Sequence, residues 1–332
     1  MRRAPRFWER GRGGIAAPVL SPLAALWTAV TRARIVRGRA ARVGVPVICV
    51  GNLTIGGTGK TPAVLAIAER LQARELHVAV VSRGHGGRLV GPLRVEPERH
   101  RADEVGDEPL LLAASAPVWI GRDRAAAARA AVEDGAEIVI LDDGFQNPGL
   151  AKDLSILVVD AVAGFGNGRV IPAGPLREPV ADGVARADFL LAVGEAAPLL
   201  AEWPDLARLP RLEGRIEPLA TGMPWAGLRV LAFAGIGRPE KFFATLKGLG
   251  AELLRTRAFG DHEPYSGPIL ERLEAEARSL GAQLVTTEKD AVRLPDAFRR
   301  KVLVLPVRMN IRDWTPFDAA LAPLLPKDGD DG

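Results

Sequence analysis

Several residue types that mark common protein classes are scarce in this sequence. Its 332 residues include one cysteine, Cys49, so no disulfide can form within the chain. No cysteine and histidine cluster has the spacing of a metal site, and neither a G-x-S-x-G nor an N-K-x-D element occurs. No small-residue cleavage site follows the apolar stretch near the N-terminus, so we expect no cleaved signal peptide. These absences argue against a disulfide scaffold, a zinc enzyme, a serine hydrolase and a guanine-specific GTPase.

Acidic residues are nearly absent from the first 42 residues, which contain ten arginines and one glutamate. Because the whole chain has a formal net charge of +4, the remainder carries −5. Residues 14–30 contain no charge, and Trp8 and Trp27 lie near their edges. Pro18 and Pro22 would interrupt a membrane span. We therefore expect residues 1–42 to be a membrane-associating segment that lies in the interface, with its arginines against acidic headgroups.

Two other interpretations of this segment stay open, a buried N-terminal helix and a true transmembrane helix. Nucleic acid is not expected as a partner, because aromatic and polar residues do not alternate with the arginines.

Glycines cluster where an apolar run, residues 45–50, meets a helical pattern. Residues 51–62 read GNLTIGGTGKTP, which is typical of a phosphate-binding P-loop except that Thr54 replaces the first glycine of the pattern. Lys60 would reach the β- and γ-phosphates, and Thr61 would offer its hydroxyl to Mg²⁺. A flexible turn with an incidental lysine is the alternative. The residues predicted to bind a nucleoside triphosphate are Thr54, Ile55, Gly56, Gly57, Thr58, Gly59, Lys60 and Thr61.

Short apolar runs alternate with helical stretches along the chain, which predicts an α/β fold of the P-loop NTPase type. The runs at 77–82, 137–141, 154–160 and 188–193 suit strands of a doubly wound, mostly parallel sheet, buried on both faces. We expect a P-loop domain over 43–210 and a linker over 211–225. A second, smaller α/β domain is expected over 226–325, with strands near Leu228, Ala251, Gln283 and Val302, and a disordered tail over 326–332.

Paired carboxylates lie at two predicted boundaries, one after a strand and one before a helix. Asp142 and Asp143 come directly after an apolar run, as the metal-binding carboxylate of a P-loop enzyme does. A polar turn after a buried strand would look the same. Asp107 and Glu108 precede the helical run LLLAA, where either could act in catalysis or only cap the helix.

Basic side chains and one histidine complete the set of candidates. Arg83, Arg124 and Arg177 are predicted to contact substrate, although Arg83 could simply belong to a turn. His262 lies beside Asp261 and could act in acid–base chemistry near neutral pH. A surface histidine at the start of a helix would have the same sequence pattern.

Together these segments resemble the tetraacyldisaccharide 4'-kinases of Gram-negative bacteria over most of the chain. Family members usually have tyrosine at the position of His85 and histidine at that of Asn147, and their P-loop typically lacks the first glycine. The matching motifs, in chain order, are GNLTIGGTGKTP (51–62), SRGHGG (82–87), VGDEPLL (105–111), LDDGFQ (141–146), PAGPLREP (172–179), FAGIGRPEKFF (233–243), FGDH (259–262) and TTEKDAVRL (286–294).

The resemblance implies that ATP donates its γ-phosphoryl group, with Mg²⁺, to the 4'-hydroxyl of an anionic lipid, a tetraacyldisaccharide 1-phosphate, to form lipid IVA. It also implies Asp107 as the base and His262 as its partner, while the P-loop pattern itself predicts Lys60 as a catalytic residue. The enzyme would then be a monomer at the cytoplasmic face of the inner membrane. A membrane-tethered P-loop NTPase switch that acts on a protein partner is the alternative function.

Overall fold

Parallel strands form most of the framework in the computed structural model, which describes residues 5–11, 14–261 and 263–325. In these ranges the strands are β1 (Val47–Gly51), β2 (Val78–Ser82), β3 (Leu93–Arg94), β4 (Val118–Ile120), β5 (Ile138–Asp142), β6 (Leu154–Asp160), β7 (Phe189–Val193), β8 (Arg211–Pro218), β9 (Arg229–Ala234), β10 (Glu252–Ala258), β11 (Gln283–Thr287), β12 (Val302–Leu305) and β13 (Val307–Ile311).

Helices connect most of these strands, and short 3-10 turns lie at Arg6–Trp8, Pro204–Arg208 and Ala322–Leu324. The α-helices are α1 (Ala16–Arg37), α2 (Lys60–Gln72), α3 (Ala102–Val105), α4 (Asp107–Ala113), α5 (Arg124–Glu133), α6 (Val180–Val184), α7 (Ala196–Glu202), α8 (Pro239–Gly248), α9 (Gly267–Leu280), α10 (Glu288–Ala291), α11 (Asp296–Arg299) and α12 (Thr315–Leu321).

The larger sheet has nine strands in the order β13-β8-β7-β6-β1-β5-β2-β4-β3. Its pairs are parallel except at the two edges, where β13 pairs with β8 and β3 with β4 in antiparallel fashion. Every residue of β1, β2, β5 and β6 is buried. Continuous apolar strands need cover on both faces, which the helices provide, so the predicted α/β arrangement is confirmed.

The smaller sheet has four parallel strands in the order β10-β9-β11-β12. Its strands begin within a residue of the predicted positions near Leu228, Ala251, Gln283 and Val302. Phe233 and Tyr265 pack edge to face on one side of this sheet, and Trp225 and Phe242 belong to the apolar cluster on the other.

The structure differs from the predicted boundaries at both ends of the second domain. Residues 211–225 were expected as a linker, but Arg211–Pro218 form β8, which pairs in parallel with β7 of the larger sheet. Within the expected second domain, β13 and α12 return to the larger sheet, and Phe317 is fully buried in its core. The prediction missed this return because an edge strand added from a distant segment has no local sequence signature.

Helix α1 is continuous through both prolines that were expected to interrupt it. Pro18 lies in the first turn, where no intrahelical N–H bond is lost, and Pro22 is the proline inside the helix. Ala17, Ala24 and Thr31 recur every seven residues and are buried against the body.

A second stripe of α1 is apolar and exposed. At 100° per residue its members fall within an arc of about 120°. By length and composition alone the helix could cross a membrane. Only 11% of its most apolar 18-residue stretch is buried in the protein, so the body leaves most of this stretch uncovered. We call this stripe the exposed apolar face of α1; it consists of Ile15, Val19, Leu23, Leu26, Trp27 and Val30.

Because Phe317 is buried in the core of the larger sheet, Phe317→Ala should lower the free energy of unfolding by about 3–5 kcal/mol. Urea denaturation followed by circular dichroism measures this loss. Val36→Ala, at an exposed position of α1, is the control and should change stability by less than about 0.5 kcal/mol. A loss below 1 kcal/mol for Phe317→Ala would contradict the placement of α12.

Candidate active site

The phosphate loop joins β1 to α2 at the centre of the larger sheet. Gly59 has a φ of +91° at the N-cap of α2, a conformation that side chains with a Cβ rarely adopt. Thr54, which replaces the usual first glycine, is buried and forms an antiparallel bridge with Leu176. The N–H of Ile55 donates to the carbonyl of Pro175 at 2.8 Å. The segment 172–179 therefore supports the loop from one side.

Asn52 organises this loop from within, and sequence reasoning did not single it out. Its amide nitrogen donates to Thr58 Oγ1 at 3.0 Å, and its Oδ1 accepts from Lys60 Nζ at 3.2 Å. Lys60 Nζ also lies 3.6 Å from Asp143 Oδ1. The only sequence signal was a polar residue directly after a buried strand. Asn52 thus holds the lysine over the loop.

Asp142, the last residue of β5, is buried and incompletely paired. Ser82 Oγ donates to its Oδ2 at 3.0 Å, whereas its Oδ1 has no hydrogen-bond partner among the described residues. Burial, with the nearby charges of Glu108 and Asp143, raises its pKa to about 7. A buried carboxylate oxygen without a donor is a fitting ligand for a hard cation such as Mg²⁺.

Asp143 has a different environment, although it is the next residue. Arg177 Nη1 donates to both of its oxygens, at 2.8 and 2.9 Å. Burial raises the pKa of Asp143, but Lys60 and Arg177 outweigh burial, so its pKa lies below the ordinary value. Its φ of +50° is unusual for a residue with a side chain and is a strained conformation of the kind found at functional sites.

Of the other two predicted arginines, Arg83 directly follows β2 and Arg124 is the first residue of α5. Arg124 is buried and donates to the carbonyls of Gly121 and Arg122 at 3.0 and 3.1 Å. Burial and the neighbouring charge of Arg83 lower the pKa of Arg124, while Asp142 and Asp143 oppose this effect. Arg83 is exposed. Arg124 is therefore in the electrostatic neighbourhood of the carboxylate pair, and Arg83 is in that of Arg124. Their predicted contact with substrate stays a prediction.

Asp107 begins α4, directly after Gly106. The φ of Gly106 is +95°, and an added Cβ would lie 2.5 Å from the carbonyl oxygen of His85, so the two loops pack too closely for any other residue. Asp107 is nearly buried and its Oδ2 lies 3.4 Å from Nε of Arg293. Glu108 Oε1 lies 3.3 Å from Nζ of Lys289. Two residues of the motif TTEKDAVRL in the second domain therefore contact Asp107, the candidate base, and its neighbour Glu108.

His262 lies outside the described residues, so its predicted pairing with Asp107 stays a prediction. The residues on either side of it are described. Lys289 Nζ lies 3.6 Å from Asp261 Oδ1, and the N–H of Gly260 donates to Glu263 Oε2 at 2.6 Å.

Gln146 and Glu178 belong to the site but received no role from the sequence beyond their motifs. Glu178 is buried; its oxygens accept from Gln146 Nε2 at 2.9 Å and from Arg186 Nη2 at 2.6 Å. Gln146 also accepts from Arg177 at 3.2 Å and donates to the carbonyl of Asn52 at 3.0 Å. These contacts join the phosphate loop, the carboxylate pair and the segment 172–179 into one hydrogen-bonded unit.

The sequence matches the family of tetraacyldisaccharide-1-P 4'-kinases over residues 16–326. The chain belongs to this family. A tetraacyldisaccharide 4'-kinase of Dinoroseobacter shibae is 57% identical over 330 residues, which cover 98% of each chain. The corresponding kinase of Jannaschia sp. is 55% identical over 326 residues, 97% of this chain and 99% of the relative.

Among solved structures, LpxK from Aquifex aeolicus in complex with ATP is similar to this chain with a TM-score of 0.78. The sequence identity is 27%, and the match covers 93% of this chain and 99% of that one. The predicted family, the α/β P-loop fold and the kinase activity are thereby confirmed. These relatives do not favour the alternative of an NTPase switch.

The environment of Asp142 leads to a prediction for the protein in EDTA, which removes divalent cations. Its carboxyl ionises near pH 7 in the folded chain and near pH 4 in the unfolded chain, so the folded state binds more protons between these values. The free energy of unfolding should therefore fall as pH rises from about 4 to about 7. Asp142→Asn should remove this fall and be more stable than wild type at pH 8, as measured by urea denaturation.

Asp143→Asn is the matched control. The pKa of Asp143 is lowered, so its ionisation changes the free energy of unfolding with pH in the opposite direction. Its stabilising contribution should be present above about pH 4 and lost as pH falls. Identical pH profiles for wild type and Asp142→Asn would contradict the raised pKa. In millimolar Mg²⁺ we expect wild type, but not Asp142→Asn, to gain stability.

Proposed function

We propose that this protein transfers the γ-phosphoryl group of ATP to the 4'-hydroxyl of a tetraacyldisaccharide 1-phosphate, which forms lipid IVA. The observation that carries the proposal is the P-loop lysine, Lys60, held between Asn52 and Asp143 in a chain that matches the 4'-kinase family over residues 16–326. The similarity to an Aquifex structure that contains ATP supports ATP as the donor.

The residues around the phosphate loop suit the charge of this substrate. Phosphoryl transfer depends mainly on positioning and charge neutralisation, and Lys60 can neutralise charge on the β- and γ-phosphates. Thr61, Asp142 and Asp143 would hold Mg²⁺, which when bound neutralises charge on the phosphate oxygens. The described residues contain no group of three or more His, Cys, Asp or Glu side chains that could hold a metal, so phosphate and water oxygens would complete its ligand set. Arg83, Arg124 and Arg177 would balance the remaining negative charge.

Asp107 is the proposed base for the acceptor hydroxyl, with His262 as its partner. Asp107 lies on the first turn of α4, and its neighbour Glu108 is close enough to Asp142 to raise the pKa of that carboxyl. The proposed base therefore lies near the carboxylates that are proposed to hold Mg²⁺. A carboxylate there can accept the hydroxyl proton as the bond to phosphorus forms.

The exposed apolar face of α1 supports membrane association at the cytoplasmic face of the inner membrane. Six apolar side chains face solvent there, and the arginines of residues 1–42 can contact acidic headgroups. Trp27 connects this helix to the site, because its Nε1 donates to the carbonyl of Arg177 at 3.1 Å. The lipid acceptor would thus enter beside α1, and we propose that a monomer suffices.

Incubation of the protein with labelled ATP and a tetraacyldisaccharide 1-phosphate tests the function, and Lys60→Ala is the decisive variant. It should lose turnover by about 10²-fold or more, because charge on the phosphates is no longer neutralised. Lys247→Ala, at an exposed position of α8, is the control and should keep wild-type turnover. A folded Lys60→Ala variant with more than about a tenth of wild-type turnover would refute this role.

Serine substitutions at Leu23, Leu26 and Val30 together test the membrane proposal without removing the contacts of α1 to the body. Binding to vesicles that contain anionic phospholipid should fall at least about tenfold, because three apolar side chains no longer enter the bilayer. The KM for lipid should rise and the KM for ATP stay constant. Ala25→Ser with Ala29→Ser, on another exposed side of α1, is the matched control. Unchanged co-sedimentation of the triple variant with the vesicles would show that the exposed apolar face of α1 does not bind the membrane.

Asp107→Asn and His262→Ala test the acid–base proposal. Each should lower turnover by about 10²–10⁴-fold with ATP binding retained. The double variant should lose little more than the worse single variant, because members of one catalytic unit are not additive. Multiplicative losses would mean two separate roles. Turnover near wild type, with only a loss of stability, would mean that Asp107 has only a structural role in the first turn of α4.

A further inference from the structure

We propose that Arg293 is a positioning residue that fixes the carboxylate of Asp107 and aligns it with the loop that carries His262. The inference rests on the proposed function, since it takes Asp107 as the base. It assigns a role to the end of the TTEKDAVRL segment, for which the sequence offered no function.

Arg293 is immobilised by its own domain. Its Nη1 donates to the carbonyl of Glu263 at 3.0 Å, and its Nη2 donates to the carbonyl of Gly235 at 2.9 Å and to Asp290 Oδ1. Its guanidinium lies 5.3 Å from the ring centroid of Tyr265. Only 6% of its side chain is exposed. A planar group held on several sides has few alternative positions.

Asp290, which accepts a hydrogen bond from Arg293, is also held in place by several bonds. Asp290 is fully buried, and its Oδ1 also accepts from the hydroxyl of Tyr265 at 2.7 Å and from the N–H of Gly235 at 2.9 Å. Its Oδ2 accepts from Thr287 Oγ1 at 2.6 Å. These bonds attach Arg293 to the ends of β9 and β11. Arg293 lies in the turn after α10, and these bonds anchor it to the ends of two strands of the second domain.

The remaining edge of the guanidinium faces the first domain. Its Nε donates to the carbonyl of Lys289 at 3.4 Å and also lies 3.4 Å from Asp107 Oδ2 as an ion pair; the side chains of Arg293 and Asp107 are 6% and 11% exposed. On its other side the same guanidinium binds the carbonyl of Glu263, the residue after His262 in the sequence. One side chain thus contacts the proposed base and the backbone next to its proposed partner. Small errors in the position of a reacting group can cost about 10²-fold in rate.

A purely structural role is the competing explanation, because a buried arginine paired with Asp290 also stabilises the second domain. Tyr265→Phe separates the two roles. It removes a hydrogen bond to Asp290 in the same network but leaves the contact between Arg293 and Asp107 in place. A structural role predicts similar effects of Tyr265→Phe and Arg293→Gln on turnover, whereas a positioning role predicts different ones.

The experiment measures kcat, the KM for ATP, the KM for a tetraacyldisaccharide 1-phosphate and Tm on the full chain. We expect Arg293→Gln to lower kcat about 10–100-fold with both KM values within about threefold of wild type. Arg293→Lys should recover part of the loss, because the ammonium keeps the charge but not the planar fork. Tyr265→Phe should lower Tm yet keep kcat within about threefold of wild type.

Asp107→Asn and the double variant Asp107→Asn/Arg293→Gln complete the set. If Arg293 acts through Asp107, the double variant is no slower than Asp107→Asn. Near-wild-type kcat for Arg293→Gln, an equal loss for Tyr265→Phe or multiplicative losses in the double variant would each overturn the inference alone. Wild-type turnover of Asp107→Asn would overturn the proposed base and this inference together. If Arg293→Gln does not fold, Arg293→Lys carries the same comparison.

Discussion

The balance of charge around two adjacent carboxylates at the end of β5 is the constraint on which the site depends. Asp143 is compensated by Lys60 and Arg177, so its pKa lies below the ordinary value. Asp142 has one donor, Ser82, and its pKa is raised to about 7. One carboxylate therefore orients the lysine of the phosphate loop, while the other keeps an oxygen that a cation can bind. Neighbouring groups of the same chemistry obtain different roles from different surroundings.

The segment 172–179 joins this pair to the N-terminal helix. Arg177 binds Asp143 through its side chain, receives a hydrogen bond from Trp27 through its carbonyl, and donates its N–H to Leu53 at 2.7 Å. A single residue thus contacts the carboxylates, the phosphate loop and α1. With α1 at the membrane as proposed, these contacts hold that helix and the phosphate loop in a fixed relation to each other.

Ion pairs join the second domain to the first. Asp160, at the end of β6, accepts from Arg238 at 3.0 Å and from Lys241 at 2.8 Å. On the other side Lys289 and Arg293 meet Glu108 and Asp107. Chain connectivity reinforces the relation, because β13 and α12 return to the larger sheet after the small one is complete. The proposed base therefore depends on both domains for its surroundings.

The sequence by itself determined the features that come from short-range patterns. The P-loop, the continuous apolar strands and the carboxylates after β5 follow from local spacing, because glycine conformation, strand burial and strand ends are encoded within a few residues. The order of motifs was enough to identify the family. The exposed apolar face of α1 was also foreseeable as an uncharged segment, although its helix passes through both prolines without a break.

Only the tertiary structure decided the features that join distant segments. Three of these features depend on how whole elements pack. They are the pairing of β8 with β13, the hydrogen bond from Lys60 to Asn52 and the contact of Arg293 with Asp107. The different pKa values of Asp142 and Asp143 are of the same kind, since identical side chains at adjacent positions differ only in the groups packed around them. Spacing along a chain specifies local conformation, whereas burial and charge partners are set by the folded whole.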